Sequence, residues 1–210
     1  MIETKSISEQ ITEILKDKIL HHEFRLGEKI DTDKLAQEFE VSAMPVRDAL
    51  KNLENRGLVI NRERVGFFVR DFEVDEIKDI IEIRIMYEGY CIEKHLENIN
   101  LKALGHLYEN MKNFSNESRD EFDKIDKNLH NMIIEAAQNK ILIERYRNIE
   151  DLIDLVRHLD REREQEAMFE HIKVTEKILN KEPEKARNLL EEHIINVRDG
   201  IIGGYEELIK

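Results

Sequence analysis

The 210-residue sequence has no tryptophan, only two prolines and only eight glycines, so little in it would interrupt a helix. No apolar run approaches the roughly 18–20 residues that a membrane-spanning helix needs, and we expect no membrane partner. A single cysteine, Cys91, excludes a framework of internal disulfides. The opening residues MIETKSISEQ mix both charge signs without an apolar core, which is unlike a signal peptide. We therefore expect a mostly helical, cytoplasmic protein.

The net charge of −13 argues against a nucleic-acid partner only if the charge is spread evenly. Residues 1–72 contain 12 Lys and Arg against 14 Asp and Glu, whereas residues 73–210 contain 21 against 32. Within residues 42–70 the balance reverses, to six basic residues against three acidic ones. The acidity is thus concentrated in the C-terminal part, and a local basic surface remains in the N-terminal part.

Residues 1–72 follow the order of a winged helix-turn-helix. Apolar spacing predicts a helix over residues 7–22, a second helix follows in DTDKLAQEFE, and a third begins after Ser42 and ends at Gly57. Pro45 is tolerated in the third helix because N–H groups in a first turn have no intrahelical partner. The stretch LVINRERVGFFVR, residues 58–70, then predicts a small β-hairpin around a basic turn.

In a winged helix-turn-helix, the N-terminal residues of the second helix of the motif face the major groove of DNA. Ser42 and Arg47 occupy such positions here, and Arg47 can reach a guanine edge or a phosphate. Arg62 and Arg64 in the predicted wing can reach the DNA backbone or the minor groove. These residues are our first candidates for DNA contacts.

The run from Leu26-Gly27 through Leu35-Ala36, VSAMPVRDAL, Leu53 and Gly57-Leu58-Val59 to Gly66-Phe67-Phe68-Val69 resembles the DNA-binding domain of GntR-family bacterial repressors. The resemblance implies binding to double-stranded operator DNA, with Ser42, Ala43, Met44, Arg47 and the wing residues Arg62, Arg64 and Gly66 at the interface. Ala43 stands where many relatives have a base-reading arginine, and Met44 stands where they usually have threonine. The operator sequence therefore does not follow from the resemblance.

Helical periodicity returns after residue 73 and continues to the C-terminal region. Breaks at short polar segments divide it into six predicted helices, over residues 74–98, 101–114, 118–137, 140–159, 163–180 and 184–205. We therefore predict a mainly α protein with two domains. Residues 1–72 form the winged helix-turn-helix, with three helices and a small hairpin, and residues 73–210 form an all-helical bundle of about six helices.

Four polar side chains fall on inward-facing stripes of these helices. Asp126 and His130 lie four residues apart and border one apolar stripe, while His171 and His193 lie on two others. A buried carboxylate is costly unless it is paired or bound to a metal. Three imidazoles and one carboxylate suit zinc, and nickel or manganese are alternatives. The residues can also be separate core side chains, each hydrogen-bonded locally, and periodicity does not decide between the two readings.

The C-terminal part is similar to the FCD effector domain of the FadR branch of the GntR family, in its shorter, VanR-like form. In that domain a D-x-x-x-H pair, a histidine opening an H-x-x-I segment and a histidine 22 residues further on bind a metal. Asp126, His130, His171 and His193 match these positions. The family's R-x-x-x-E appears as Arg84 and Glu88, and the resemblance implies that Arg84 pairs with a carboxylate effector. The alternative for Arg84 is a salt bridge with Glu88 or another acid.

The sequence thus predicts a homodimeric, ligand-responsive transcription regulator, most simply a repressor, that binds a divalent metal ion and a small organic acid. One alternative retains the DNA-binding domain but makes the metal itself the signal, without an organic effector. Another is a metal-dependent hydrolase, because a metal held by three histidines can activate water. The sequence contains no nucleophile motif, no glycine-rich phosphate loop and no H-E-x-x-H, so we expect no catalytic residues and no enzyme.

Overall fold

The computed structural model describes residues 5–115, 119–157, 159 and 163–208. The chain is mainly α, as the sequence predicts, and it forms two compact units. One unit contains the described residues up to Glu73 together with Asp151–Leu155, and the other contains Val74–Glu150 and the described residues from Val156 onwards. Among the described helices, none combines the length and apolar character needed to cross a lipid bilayer.

Three helices form the core of the N-terminal unit: α1 (Ile7–Leu20), α2 (Thr32–Glu38) and α3 (Ala43–Asn55). Ser6 starts α1 through a capping box, in which its hydroxyl accepts from the Glu9 N–H and the Glu9 carboxylate accepts from the Ser6 N–H. Asp31 caps α2 by accepting from two backbone N–H groups. The apolar face of α3 packs against α1 and α2, and it buries Val46, Ala49, Leu50 and Leu53.

The end of α3 is a Schellman motif. Gly57 has a φ of +79°, its N–H donates to the Glu54 carbonyl, and the Leu58 N–H donates to the Leu53 carbonyl at 3.0 Å. Only glycine adopts this left-handed conformation without steric cost. The motif turns the chain directly from α3 into the sheet.

The sheet has three strands: β1 (Lys29–Ile30), β2 (Val59–Arg62) and β3 (Gly66–Val69), in the order β1-β3-β2. The predicted hairpin is β2 and β3, paired antiparallel from Val59↔Val69 to Arg62↔Gly66. The sequence did not predict β1, which pairs with β3 through only two residues. Sheet and helices together form a winged helix-turn-helix.

The C-terminal unit is all-helical, and its described part contains six α-helices, as predicted. They are α4 (Val74–His95), α5 (Leu101–Lys112), α6 (Arg119–Glu135), α7 (Lys140–Arg157), α8 (Glu164–Leu179) and α9 (Pro183–Leu208), with a 3-10 turn at Leu96–Asn98 after α4. The observed bounds lie within a few residues of the predicted ones. The predicted helix start at residue 118, and residue 158 near the predicted end at 159, lie outside the described residues.

The centre of this unit is where α4, α6, α8 and α9 meet. Helix α9 packs against α4 and α8, and α6 packs against α4, α5 and α8. The buried apolar side chains there include Ile92, Leu129, Ile133, Val174 and Ile194. The polar side chains considered next lie inside this apolar environment.

Candidate functional site

The structure brings together the four side chains that the sequence singled out in the C-terminal unit. Asp126 and His130 lie on α6, His171 on α8 and His193 on α9, and none is more than 6% exposed. One ligand atom from each residue lies within 4.8 Å of the ligand atoms of the other three. Side chains that helical periodicity placed on the inward faces of three separate helices therefore form one buried polar cluster.

The arrangement of donor atoms fits a metal ion better than a self-contained hydrogen-bond network. The Nε2 atoms of His171 and His193 face each other at 3.0 Å, and Asp126 Oδ1 lies 3.4 Å from His171 Nε2 and 3.6 Å from His130 Nε2. Donor atoms that each lie about 2.0–2.2 Å from one ion are separated from each other by distances similar to those just given. Within the described part of the chain, buried His130 Nε2 has no hydrogen-bond partner. The four residues could therefore hold a divalent metal.

Further side chains orient these donors. His130 Nδ1 donates to Glu88 Oε2 at 2.5 Å, and His193 Nδ1 donates to Glu170 Oε2 at 2.8 Å, because an ionised carboxylate can only accept. Each bond leaves the Nε2 lone pair of its ring directed toward the cluster. The second oxygen of Asp126 accepts from Arg157, which leaves Oδ1 on the side of the histidines.

The protonation states follow from burial and neighbouring charges. Burial lowers the pKa of His171 well below its ordinary value, and the nearby His193 lowers it further; burial likewise lowers the pKa of His193. Burial alone would raise the pKa of Glu88, but Arg84 and His130 lower it to about 2. His171 and His193 are thus neutral at neutral pH, as metal ligation requires, and Glu88 is ionised. Burial and Arg84 alone would lower the pKa of His130, but Glu88 and Asp126 raise it, so metal binding at His130 would displace a proton.

Arg84 is buried and forms an ion pair on its own helix. It is 3% exposed, and its Nε donates to Glu88 Oε1 at 2.7 Å, which is the salt bridge given above as the alternative. The same side chain lines a small cavity of about 20 Å³ beside Asp126 and Phe122. Arg84 is therefore tied to the cluster through Glu88 and also lies next to space where a ligand could bind.

Sequence reasoning did not identify Glu170, Tyr146 and Arg157 as part of this site. Tyr146 donates its hydroxyl to Glu88 Oε1 at 2.5 Å, and Glu170 and Arg157 hold His193 and Asp126 as described above. The one available signal was the position of Glu170 directly before His171. Tyr146 and Arg157 come from α7, which carries none of the four predicted ligands.

The candidate DNA contacts of the N-terminal unit form the exposed start of α3. Ser42 is the N-cap residue by position, but its side chain makes no capping hydrogen bond. Its hydroxyl is exposed, as is the side chain of Arg47, and Met44 is 73% exposed. Ala43 is half-buried at the first position of the helix. The start of α3 therefore presents short or flexible side chains outward, while Val46 and Leu50 anchor the helix from behind.

The wing presents Arg62 and Arg64 on the outside of the sheet. The guanidinium of Arg62 stacks 4.2 Å from the centre of the Phe68 ring, which fixes its direction. Arg64 has a φ of +62°, and the Val65 N–H donates to the Arg62 carbonyl at 3.0 Å, so the tip is a turn with a left-handed third residue. Gly66 follows with a φ of +122° and brings the chain back into β3.

Two family models match the chain, one for each unit. The model for "Bacterial regulatory proteins, gntR family" matches residues 7–69, and the model for the FCD domain matches residues 79–196. The second match alone covers more than half of the 210 residues. The order of the two matches agrees with the order of the two folded units.

Curated relatives are regulators of transcription rather than enzymes. The chain is 28% identical over 181 residues to the HTH-type transcriptional regulator YdhC of Bacillus subtilis (strain 168), an alignment that covers 82% of this chain and 81% of that protein. It is 23% identical over 180 residues to the HTH-type transcriptional repressor RspR of Escherichia coli (strain K12), covering 84% and 75%.

Among solved structures, the chain is similar to the FCD domain of TM0439, a transcriptional regulator, in two states. The metal-free domain is 32% identical with a TM-score of 0.62, covering 65% of this chain and 99% of that one. The Zn²⁺-bound domain is 33% identical with a TM-score of 0.59, covering 63% and 96%. The chain thus belongs to the GntR family of bacterial regulatory proteins, in the branch with an FCD domain, and it is a DNA-binding regulator of transcription.

Proposed function

We propose that this regulator is a repressor whose C-terminal domain binds a divalent metal ion and a small carboxylate effector, and that the effector lowers the affinity for operator DNA. Residues 1–72 would be the DNA-binding domain, and residues 73–210 the effector-binding and dimerisation domain. RspR, which aligns with 84% of this chain, is named as a repressor, and this supports repression rather than activation.

The observation that carries the metal proposal is the buried cluster of Asp126, His130, His171 and His193, with three of its donors held from behind by Glu88, Glu170 and Arg157. Zinc is the first choice, since the FCD domain of TM0439 has been solved with Zn²⁺, and nickel or manganese remain alternatives for this donor set. When bound, the ion would supply a Lewis-acidic centre for a carboxylate oxygen.

The residues of the chain then have separate tasks. Arg84 lines the cavity beside Asp126, where its guanidinium can pair with a carboxylate that enters. Glu88 keeps Arg84 and His130 in place. A ligand that binds one conformational state more tightly than another shifts the protein toward that state, and a few kcal/mol of difference is enough to release DNA.

DNA binding is proposed to use Ser42, Ala43, Met44 and Arg47 in the major groove, and Arg62, Arg64 and Gly66 in the wing. A homodimer would place two α3 helices in successive major grooves of a pseudo-palindromic operator. The C-terminal unit has apolar surface that a second copy could cover. On α4, Met86 is 63% exposed and Tyr90 48% exposed, and Ile141 at the start of α7 is 72% exposed.

Arg47→Ala tests the DNA-reading surface. The side chain is exposed, so the substitution should leave the fold and the melting temperature unchanged while it abolishes specific operator binding in a gel-shift or anisotropy assay. Lys51→Ala, one turn further along α3 and also exposed, is the matched control and should bind the operator nearly normally. Normal binding by the Arg47 variant would mean that another element reads the operator.

Elemental analysis combined with operator binding separates the proposal from its alternatives. About one divalent metal per chain, with operator release only when a particular acid is added, supports a metal-anchored effector site. Operator affinity that follows the metal in the absence of any acid supports a metal sensor instead. Turnover of a candidate acid by the metal-loaded protein would support the hydrolase.

A further inference from the structure

Four arginines surround the small cavity beside the metal-ligand cluster. Arg84 comes from α4, Arg119 is the first residue of α6, Arg157 is the last residue of α7, and Arg163 directly precedes α8. Among the described residues of the lining, the carboxylates are those of Asp126 and Glu164. Such an excess of guanidinium groups favours an anionic ligand, because guanidinium groups match carboxylates in charge and in planar geometry.

The arginines divide into an inner and an outer pair. Arg84 and Arg157 are nearly buried, and they hold Glu88 and Asp126, which belong to the cluster and its support. The side chains of Arg119 and Arg163 are 34% and 22% exposed, and they pair with Glu164 at 3.1 Å and with Glu170 at 2.8 Å. The outer pair is therefore the more solvent-accessible part of the lining.

Each arginine of the outer pair has a donor that lacks an acceptor. Within the part of the chain that the structure describes, the Nε of Arg119 and the Nη1 of Arg163 are buried without a hydrogen-bond partner. A buried donor without an acceptor carries a desolvation penalty. An acid group that reached both donors would remove the penalty for both.

We propose that the effector carries two acid groups, and that Arg119 and Arg163 bind the second one. This rests on the proposed function, in which the first acid group is bound beside Asp126 and Arg84. A short aliphatic dicarboxylate is the simplest compound of this class. A monocarboxylate would satisfy the inner part of the site and leave the outer donors without an acceptor.

The cavity, at about 20 Å³, has room for about one water molecule. A diacid must therefore displace side chains on entry. The outer arginines are long and partly exposed, so they can turn toward solvent at little cost, whereas Arg84 is 3% exposed and held by Glu88. The outer pair is thus the part of the lining that can open and then close on the second acid group.

Calorimetric titration of the zinc-loaded full-length protein tests the proposal. The probes are the diacids malonate, succinate, glutarate and adipate, each compared with the monoacid of equal carbon number. We expect at least one diacid to bind about tenfold more tightly than its monoacid, which is the effect of one additional charge-assisted hydrogen-bonding group. Arg119→Gln and Arg163→Gln should each abolish this preference, and Arg119→Gln should leave the affinity for the monoacid and the zinc content unchanged.

Arg187→Gln is the matched control, because Arg187 also pairs with a glutamate, Glu93, but does not line this cavity. It should retain the preference for the diacid. Arg119 is the cleaner of the two test positions, since Arg163 also holds Glu170, which orients His193.

If no diacid exceeds its monoacid, or if the preference survives in the Arg119 variant, the proposal is overturned while the proposed function stands. If no acid of either kind binds to the zinc-loaded protein, the effector site itself is wrong, and the proposal fails with it. If the wild-type protein binds no zinc, the proposed metal site is wrong as well.

Discussion

Glu88 is a carboxylate with no exposed surface that accepts hydrogen bonds from three other side chains. Arg84 Nε lies 2.7 Å from Oε1, the Tyr146 hydroxyl lies 2.5 Å from the same oxygen, and His130 Nδ1 lies 2.5 Å from Oε2. Burial of a carboxylate is costly unless it is paired and hydrogen-bonded, and here both conditions are met. Glu88 thus joins α4, α6 and α7 and orients one candidate metal ligand.

Glu88→Gln should therefore weaken both the fold and the metal site. It removes the counter-charge of buried Arg84. It also replaces the carboxylate that accepts from the His130 N–H by an amide, which can present its NH₂ group there instead of its oxygen. We expect a loss of roughly 3–5 kcal/mol in the unfolding free energy of the metal-free protein. Zinc affinity should fall about 10–100-fold. Denaturant unfolding and zinc titration measure the two effects.

Glu93→Gln is the control for this substitution, because Glu93 lies on the same helix and pairs with Arg187 on the surface. Its unfolding free energy should stay close to that of the wild-type protein, because an exposed ion pair contributes little, and its zinc affinity should not change. A Glu88 variant as stable as the Glu93 variant would contradict the importance of the buried network.

For individual residues, the sequence predicts the candidate metal ligands better than the side chains that orient them. Asp126, His130, His171 and His193 interrupt apolar stripes, so periodicity shows that they face inward. Arg157 is the last residue of α7, and Glu170 is half-buried in the middle of α8. Apart from the position of Glu170 next to His171, nothing in the sequence distinguishes the two from solvated charges. Their partners come from other helices, and only tertiary packing brings them together.

Two glycines in α9 show how closely this helix approaches its neighbours. A Cβ added to Gly204 would overlap the carbonyl oxygen of Leu159, whereas a Cβ added to Gly203 would have no atom within 4 Å. Both glycines lie in the same turn of α9 and carry the same helix-propensity penalty. They differ only in what surrounds them.

Gly204→Ala and Gly203→Ala should therefore have opposite effects on stability. We expect the Gly203 variant to gain about 0.5–1 kcal/mol in unfolding free energy, since alanine favours a helix over glycine. The Gly204 variant should lose roughly 1–3 kcal/mol, because the backbone must move to accept the methyl group. Urea unfolding of the two proteins measures the difference, and a stabilised Gly204 variant would mean that the two segments do not approach so closely.

The tip of the wing holds an arginine in a conformation that favours glycine. Arg64 has a φ of +62°, and a left-handed conformation costs a non-glycine residue about 1 kcal/mol or more. The Arg64 side chain is exposed, so burial does not offset that cost. A role in contacting DNA would account for its presence.

Arg64→Gly should raise stability and lower DNA affinity at the same time. Relief of the strained turn is expected to add up to about 1 kcal/mol to the unfolding free energy. Loss of a phosphate or minor-groove contact should weaken operator binding and reduce its salt dependence by about one counterion. Binding isotherms at several salt concentrations measure the second effect, and unchanged binding would leave the arginine without a role in DNA contact.

Elements with a clear period were predictable, and the shortest one was not. The six C-terminal helices follow from the 3.6-residue spacing of apolar residues and from breaks in that spacing, such as those at Asn139 and Pro183. Pro183 is in fact the first residue of α9. Strand β1 has two residues, too few to show alternation, and it exists only because β3 offers its second edge. The third strand of this sheet therefore needed tertiary information.

Basic and acidic residues are distributed unevenly along the whole molecule. The region from residue 42 to residue 70, which contains α3 and the wing, carries twice as many basic as acidic residues, although the whole chain has a net charge of −13. The negative charge of DNA would attract the first region and repel the acidic C-terminal part. A metal ion held by one carboxylate and three neutral imidazoles would reduce that negative charge locally, beside four arginines. This favours the binding of an anionic effector there over its binding elsewhere.

Metal binding should also stabilise the whole protein, because the four donors are assembled only in the folded state. At a free zinc concentration 100 times the dissociation constant, the gain is about 2.7 kcal/mol, which corresponds to a rise of several degrees in the melting temperature. Calorimetry before and after chelation measures it. His193→Ala should lose this zinc-dependent rise, whereas His106→Ala, at an exposed position on α5, should retain it. An equal rise in both variants would remove His193 from the site and leave the remaining three residues to bind the metal.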